Sequence, residues 1–237
     1  MSRKGNTIIG IEVRALLFFR RFKKKRWGEP NLSIQTHAML SVKEAIKSRH
    51  SIRKFKDQAI SKENIQEIFE LVRLSPSAWN LQPWRFHVVT DAQLKEKLQS
   101  AAYGQTQVTS APAVIIVASD MESVLENLPA TIHPGFSSEE KQKQVDYLSG
   151  LFGAMSMEER GQWALTQTNI ALGILLVTIQ AFGYGSVPML GFDQGQVKEI
   201  LHLPEHVKIA AMVPFGVPDE EGYPHHRLDL KTIVTYS

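Results

Sequence analysis

Arg49, Ser51 and Arg53 stand at alternate positions just beyond a short segment that reads as helix. In an extended stretch, alternate side chains share a face. Two guanidiniums and a hydroxyl on one face suit a phosphate group, since arginine offers paired donors to phosphate oxygens. By spacing alone the same residues fit a solvated basic turn better. A second cluster is the loop Ser75-Pro76-Ser77-Ala78-Trp79-Asn80-Leu81-Gln82-Pro83-Trp84. It is dense in hydroxyls and amides and carries two indoles. A planar heterocycle such as isoalloxazine needs amide donors and acceptors at one edge and apolar cover on its faces, and this loop offers both. The alternative is a turn whose prolines and tryptophans serve packing.

Two further groups are weaker. Pro188-Met189-Leu190-Gly191 carries a glycine that would let backbone approach a flat ligand closely. His225-His226-Arg227 adds positive charge near the C-terminus. As a metal site the two histidines lack a third ligand placed by spacing, whereas Arg227 as a second phosphate ligand fits. With no cysteine in the chain, thiolate nucleophiles, disulfides and cysteine-ligated metals are excluded together.

The elements that must position these residues follow from periodicity. Ser41 opens a helix with Val42, Ala45 and Ile46 on one face. Ser61 caps a second, over 62–74, where Ile65, Ile68, Phe69 and Val72 recur at helical spacing. Phe86 to Thr90 reads as a strand, followed by a helix from Asp91 to about Ala102. Ala113 to Ala118 is an apolar, β-branched run that fits a strand buried on both faces. Residues 120–157 read as variable helical excursions. The longest helix spans about 158–182; it is apolar around much of its circumference and suits the core or a partner subunit. A helix over 194–201, a strand from Lys208 to Phe215 and an extended tail complete the chain. This order is not the one-to-one alternation of a doubly wound sheet. It predicts α+β, a central sheet wrapped in helices.

Charge is unevenly placed. Residues 1–26 hold nine Lys/Arg against the single acid Glu12, while from Met39 onward 18 basic residues face 22 acidic ones. The basic balance therefore belongs to the N-terminal arm. Its apolar stretch, Ile8 to Phe19, is too short for a bilayer span and is interrupted by Glu12 and Arg14. It makes a poor signal peptide for the same reason. The arm reads as a flexible extension (or a start placed upstream of a working Met39), as an amphipathic membrane-surface helix, or as a nucleic-acid contact. Nucleic-acid binding is the least expected of the three.

From about Ser41 to Arg227 the chain resembles the FMN-dependent nitroreductase family, in particular its bacterial NAD(P)H nitroreductases. The matching residues are Arg49-His50-Ser51-Ile52-Arg53, the Ser75–Trp84 loop, Ala101-Ala102-Tyr103-Gly104-Gln105, Pro188-Met189-Leu190-Gly191-Phe192-Asp193, and Arg227. The first two are specific and the others supportive. The resemblance implies a mostly antiparallel central sheet wrapped by helices, in an intertwined homodimer with FMN at the subunit interface. It divides the chain into a basic extension, 1–38, and an FMN-binding domain, 39–237.

By the same resemblance, Arg49, His50, Ser51 and Arg53 bind the FMN phosphate and pyrimidine edge. Pro76, Ser77, Ala78 and Asn80 reach the partner's flavin, and Gln105 or Gln107 supplies an amide near the ring. Leu190 and Gly191 lie near N5, and Arg227 returns to the phosphate. Many relatives carry Glu in place of Leu190, and often Lys in place of His225. The implied reaction passes hydride from NADH or NADPH through flavin N5 to nitroaromatics, quinones or similar electron-poor molecules in ping-pong order. It needs no protein nucleophile and names no catalytic acid or base. A cytoplasmic enzyme is expected, with weak membrane-surface contact through residues 1–38. Other flavin chemistry on this fold (reduction of enones, aldehydes or pteridines, or flavin fragmentation) remains open, as does a flavin-binding, membrane-tethered module without turnover.

Overall fold

A computed structural model describes residues 39–237. The expectations for the basic arm lie outside the described residues.

The order of elements follows local signals. Helix α1 (Val42–Ser48) starts at a capping box in which Ser41 and Glu44 satisfy each other's backbone N–H groups. Ser61 caps α2 (Lys62–Val72) by accepting from Asn64 N–H at 3.1 Å. A 3₁₀ turn (Ala78–Asn80) leads into strand β1 (Trp84–Val89), then α3 (Ala92–Ala101), the short α4 (Gln107–Ser110) and β2 (Ala113–Ser119). The 120–157 stretch resolves into α5 (Met121–Glu126), a 3₁₀ turn (Leu128–Thr131) and the sixteen-residue α6 (Ser138–Gly153). Ser137 and Glu140 form the capping box of α6, a sequence signal that the mixed composition of the region hides. Helix α7 (Met157–Ala181), the two-residue β3 (Gly185–Ser186), α8 (Gln194–Leu201) and β4 (Lys208–Gly216) complete the body. The tail, read as wholly extended, contains one short helix, α9 (Leu230–Ile233), capped by Asp229.

The sheet order is β1-β2-β4-β3, antiparallel throughout. Every residue of β2 is buried. Its period-two geometry sends Val114 and Ile116 to one face, where they meet Leu98 of α3, Val197 of α8 and Met212. Ala113, Ile115 and Val117 point the other way, onto Ile68 and Val72 of α2 and Leu175 and Ile179 of α7. The unbroken apolar run thus becomes a strand sandwiched between two helical layers. Each of these fully buried aliphatic side chains contributes about 1.5–3 kcal/mol through burial. Cutting Ile115 back to Ala would cost about 2–5 kcal/mol. A smaller cluster, Leu81, Met121, Leu148, Phe152 and Ala164 with Trp79 and Trp163 packed against it, holds α5 and α6 to α7.

Helix α7 is the one helix among the described residues long and apolar enough to cross a membrane. Leu175 and Ile179, fully buried against the sheet, make it the core helix of this fold instead. Its opposite side is less covered: Ile170 is exposed. On α1 the expected apolar face splits. Ala45 is buried, while Val42 and Ile46 stand exposed. Seven residues make two turns, and only one stripe of them meets α7.

Candidate functional site

Arg49 terminates α1 in extended conformation, with φ −66° and ψ 115°. The chain then runs beside the end of β3: Ser51 bridges Ser186, and Ile52 N–H donates to the Ser186 carbonyl at 3.1 Å. The extended geometry anticipated for Arg49 to Arg53 is therefore imposed by the sheet edge. The tail crosses the same segment from the other side. Lys56 N–H donates to Val217 O and Asp219 N–H to Lys54 O, each at 2.9 Å.

Between the two strips lies a cleft of about 210 Å³, lined by Arg49, His50, Ser51, Arg53, Tyr223, Pro224, His225 and Arg227. The structure thus gathers Arg227, far off in sequence, to the Arg49–Arg53 segment. It also brings His225, whose Nε2 lies 2.7 Å from the Arg49 carbonyl oxygen. The rings of His225 and His50 meet edge to face at 4.7 Å. Tyr223 and Pro224 line the cleft as well; nothing in their spacing set them apart from the rest of the tail.

Electrostatically the cleft is a concentration of positive charge. Burial, with Arg227 alongside, pulls the Arg49 guanidinium below its ordinary pKa. Arg49 Nη1 and Ser186 Oγ are buried without a hydrogen-bond partner among the described residues. Leaving such a group unmade costs about 1–3 kcal/mol, more when it is charged. None of Arg49, Arg53 and Arg227 has an acidic ion-pair partner among the described residues. Crowded guanidiniums, a free buried donor and hydroxyls are the donor set that a phosphomonoester satisfies.

A second group sits farther along the same sheet edge. Val187 N–H donates to Pro214 O and Met189 N–H to Met212 O, so the chain beyond β3 continues to track β4. From Ser186 to Gly191 that run spans about 16 Å at strand rise. At its end the Gln105 side-chain amide donates to Gly191 O at 2.7 Å and to Ala102 O at 3.1 Å. Gln107 is buried behind it and donates to Gln105 Oε1 at 3.0 Å. Of the two glutamines, Gln105 is the one on the open side, and Gln107 orients it. Leu190 beside them is 75% exposed.

The Ser75–Trp84 loop does not line the cleft. It is turned to other parts of its own chain. Ala78 N–H donates to Gln167 Oε1 at 2.9 Å, and the Asn80 amide to Thr131 O at 2.8 Å. Ser77 Oγ accepts from Gln82 N–H at 3.0 Å. Trp79, Asn80 and Gln82 all hold left-handed backbone, with φ 51°, 58° and 48°. Non-glycine residues take that conformation at a cost, so three in one loop mark a shape enforced by its surroundings. Trp79 is the anchor: its indole packs among Tyr147, Phe152 and Trp163. Pro76, Ala78 and Asn80 remain exposed.

This layout matches known proteins. The model of the Nitroreductase family fits residues 46–217. A protein of Thermus thermophilus named "NADH dehydrogenase" is 44% identical over 201 residues, covering 85% of this chain and 98% of its own. An "Oxygen-insensitive NADPH nitroreductase" of Helicobacter acinonychis is 29% identical over 203 residues, covering 82% and 95%. A crystal structure from Exiguobacterium sibiricum, solved in complex with FMN, superposes with TM-score 0.76 at 27% identity, covering 86% of this chain and all of that one. The antiparallel sheet between helical layers places the chain in the α+β class, the architecture of the nitroreductase fold. The chain belongs to the nitroreductase family, and it is an FMN-dependent NAD(P)H oxidoreductase.

Proposed function

We propose that residues 39–237 form an FMN-binding domain that passes reducing equivalents from NADH or NADPH to nitroaromatics, quinones or similar electron-poor small molecules, one substrate leaving before the next binds. The observation that carries the site assignment is the buried, unpartnered Nη1 of Arg49, a residue that lines the cleft together with Arg227. Bound FMN supplies the hydride chemistry, while the protein supplies binding and orientation.

In this reading Arg49, Ser51, Arg53 and Arg227 hold the phosphate, and His50 and His225 close the cleft around it. Gln105, kept in orientation by Gln107, presents its amide beside Gly191, and exposed Leu190 borders the approach to the ring. Pro76, Ser77, Ala78 and Asn80 stand outside the cleft of their own chain, so they act across a homodimer interface on the partner's flavin. The partly bare α7 and the exposed Val42 and Ile46 of α1 support that assembly. The enzyme is placed in the cytoplasm, with residues 1–38 as a basic extension able to touch anionic membrane.

Purified protein should be yellow, and NADH or NADPH oxidation should accelerate when a nitroaromatic or quinone is added. Protein that stays colourless and inactive after incubation with FMN would overturn the reading.

A further inference from the structure

The cleft is made of two strips of chain, and they are held in different ways. Arg49 to Arg53 follows directly from α1 and pairs with the sheet edge at Ser186. The other, residues 217–227, leaves β4 and returns over the first as a strap. Beyond Asp219 it makes no further backbone ladder, yet it must deliver Arg227 to a cleft where another guanidinium already sits. That approach is opposed by charge, since Arg227 contributes to depressing the Arg49 pKa. Something other than Arg227 must therefore set the strap in place.

Besides the His225 contact to the Arg49 carbonyl inside the cleft, two residues do this, and neither lines it. The Glu220 carboxylate accepts the Arg53 backbone N–H at 2.6 Å, a charge-assisted bond from the strap to the phosphate-facing segment. Gly222, at φ +74°, then turns the strap down onto that segment. A Cβ there would lie 2.8 Å from His50 Cβ and 3.3 Å from the Ser51 carbonyl oxygen, so the approach is possible only for glycine. Immediately afterward come Tyr223, Pro224, His225 and Arg227, the four lining residues the strap contributes.

We propose that Glu220 and Gly222 are positioning residues that seat the 217–227 strap as the second half of the phosphate grip, making the cleft selective for the phosphorylated flavin over its dephosphorylated form. The proposal rests on the phosphate reading of the cleft given above. Its chemical content is a phosphomonoester dianion recognised by guanidiniums from two strips, one of them held by a carboxylate outside the cleft.

The test compares dissociation constants for FMN and riboflavin, by flavin fluorescence quenching, on full-length protein freed of its flavin. Riboflavin lacks only the phosphate, so the ratio of the two constants isolates the grip. Glu220→Gln keeps the side-chain volume and weakens the acceptor; FMN affinity should fall roughly tenfold while riboflavin affinity moves less than about twofold. Gly222→Ala should act in the same direction and more strongly, with circular dichroism reporting whether the fold persists. Should it fail to fold, Glu220→Gln alone decides. Equal losses for both flavins, or no loss of FMN affinity, would overturn the strap assignment. Wild-type protein that binds riboflavin as tightly as FMN would overturn the phosphate reading as well, and the wild-type ratio tells the two failures apart.

Discussion

The Arg49–Arg227 cleft and the Ser75–Trp84 loop are both dense in polar residues, and one chain treats them in opposite ways. The cleft is assembled within the chain, from segments nearly two hundred residues apart that converge on one small volume. It is left electrostatically unsatisfied, with one buried guanidinium nitrogen of Arg49 lacking an acceptor among the described residues. The loop is satisfied locally. Its backbone and side-chain donors find Gln167 and Thr131, and its Trp79 indole is packed, while Pro76, Ala78 and Asn80 stay open to solvent. An unsatisfied concavity asks for a small ligand; a satisfied, rigid and exposed loop is a surface offered to something else. In the proposed dimer these are the two halves of one site, contributed by different subunits.

The sharpest way to break that contrast is at the cleft. Arg49→Ala should weaken FMN binding by about 30- to 100-fold, since it removes a charge-assisted contact to phosphate. Riboflavin binding should barely change, and thermal stability should hold or rise because a desolvated charge is gone. A titration showing unaltered FMN affinity would remove Arg49 from the grip.

Subunit mixing addresses the other half. Pairing Arg49→Ala chains with chains altered in the loop, for instance Ala78→Glu, produces mixed dimers. If the loop serves the partner's flavin, one site of the two retains both halves, and the isolated mixed dimer regains about half the wild-type turnover. If the loop serves its own chain, no site is whole and activity stays at the level of the parents.

A smaller effect is expected from Trp79→Ala. Losing the indole from among Tyr147, Phe152 and Trp163 should lower unfolding free energy by about 2–4 kcal/mol, read by denaturant titration. Turnover should suffer more than the affinity for the FMN phosphate. The smallest effect concerns pH at the strand following the loop. Burial holds the His87 imidazole below its ordinary value of 6.5. As pH falls through that value the unfolded chain takes up the proton first, so stability present above it is lost below. His87→Gln should flatten this acid limb without altering stability at pH 8.

How much of this was legible beforehand differed between the same two regions. The Arg49-x-Ser51-x-Arg53 spacing gave the right local geometry, because alternation in an extended strip is a property of adjacent residues. The β2 run was an equally local signal, whereas the Ser137–Glu140 capping box, though local, is masked by the mixed composition around it. Arg227 and Gly191 stood out by residue type, but only the resemblance joined them to the Arg49 segment, since spacing carries no information on which distant segments converge. The roles of Glu220 and Gly222 were not visible at all: a carboxylate accepting a backbone N–H from a segment 167 positions away, and a glycine required by a contact with His50, exist only once the strap is folded over. The exposure of Val42 and Ile46 was likewise set by how much of α1 meets α7, which no helical period fixes.

The left-handed residues of the loop carry a further consequence. Trp79, Asn80 and Gln82 adopt backbone angles that their own preferences disfavour. A peptide of this sequence, cut free of the chain, would relax to some other conformation. The loop's form is therefore borrowed from α6, α7 and the 3₁₀ turn beside it, and it is inherited only as long as those neighbours keep their side chains. Grafting Ser75 to Trp84 onto another scaffold would transfer the letters of the motif but not the surface they make here.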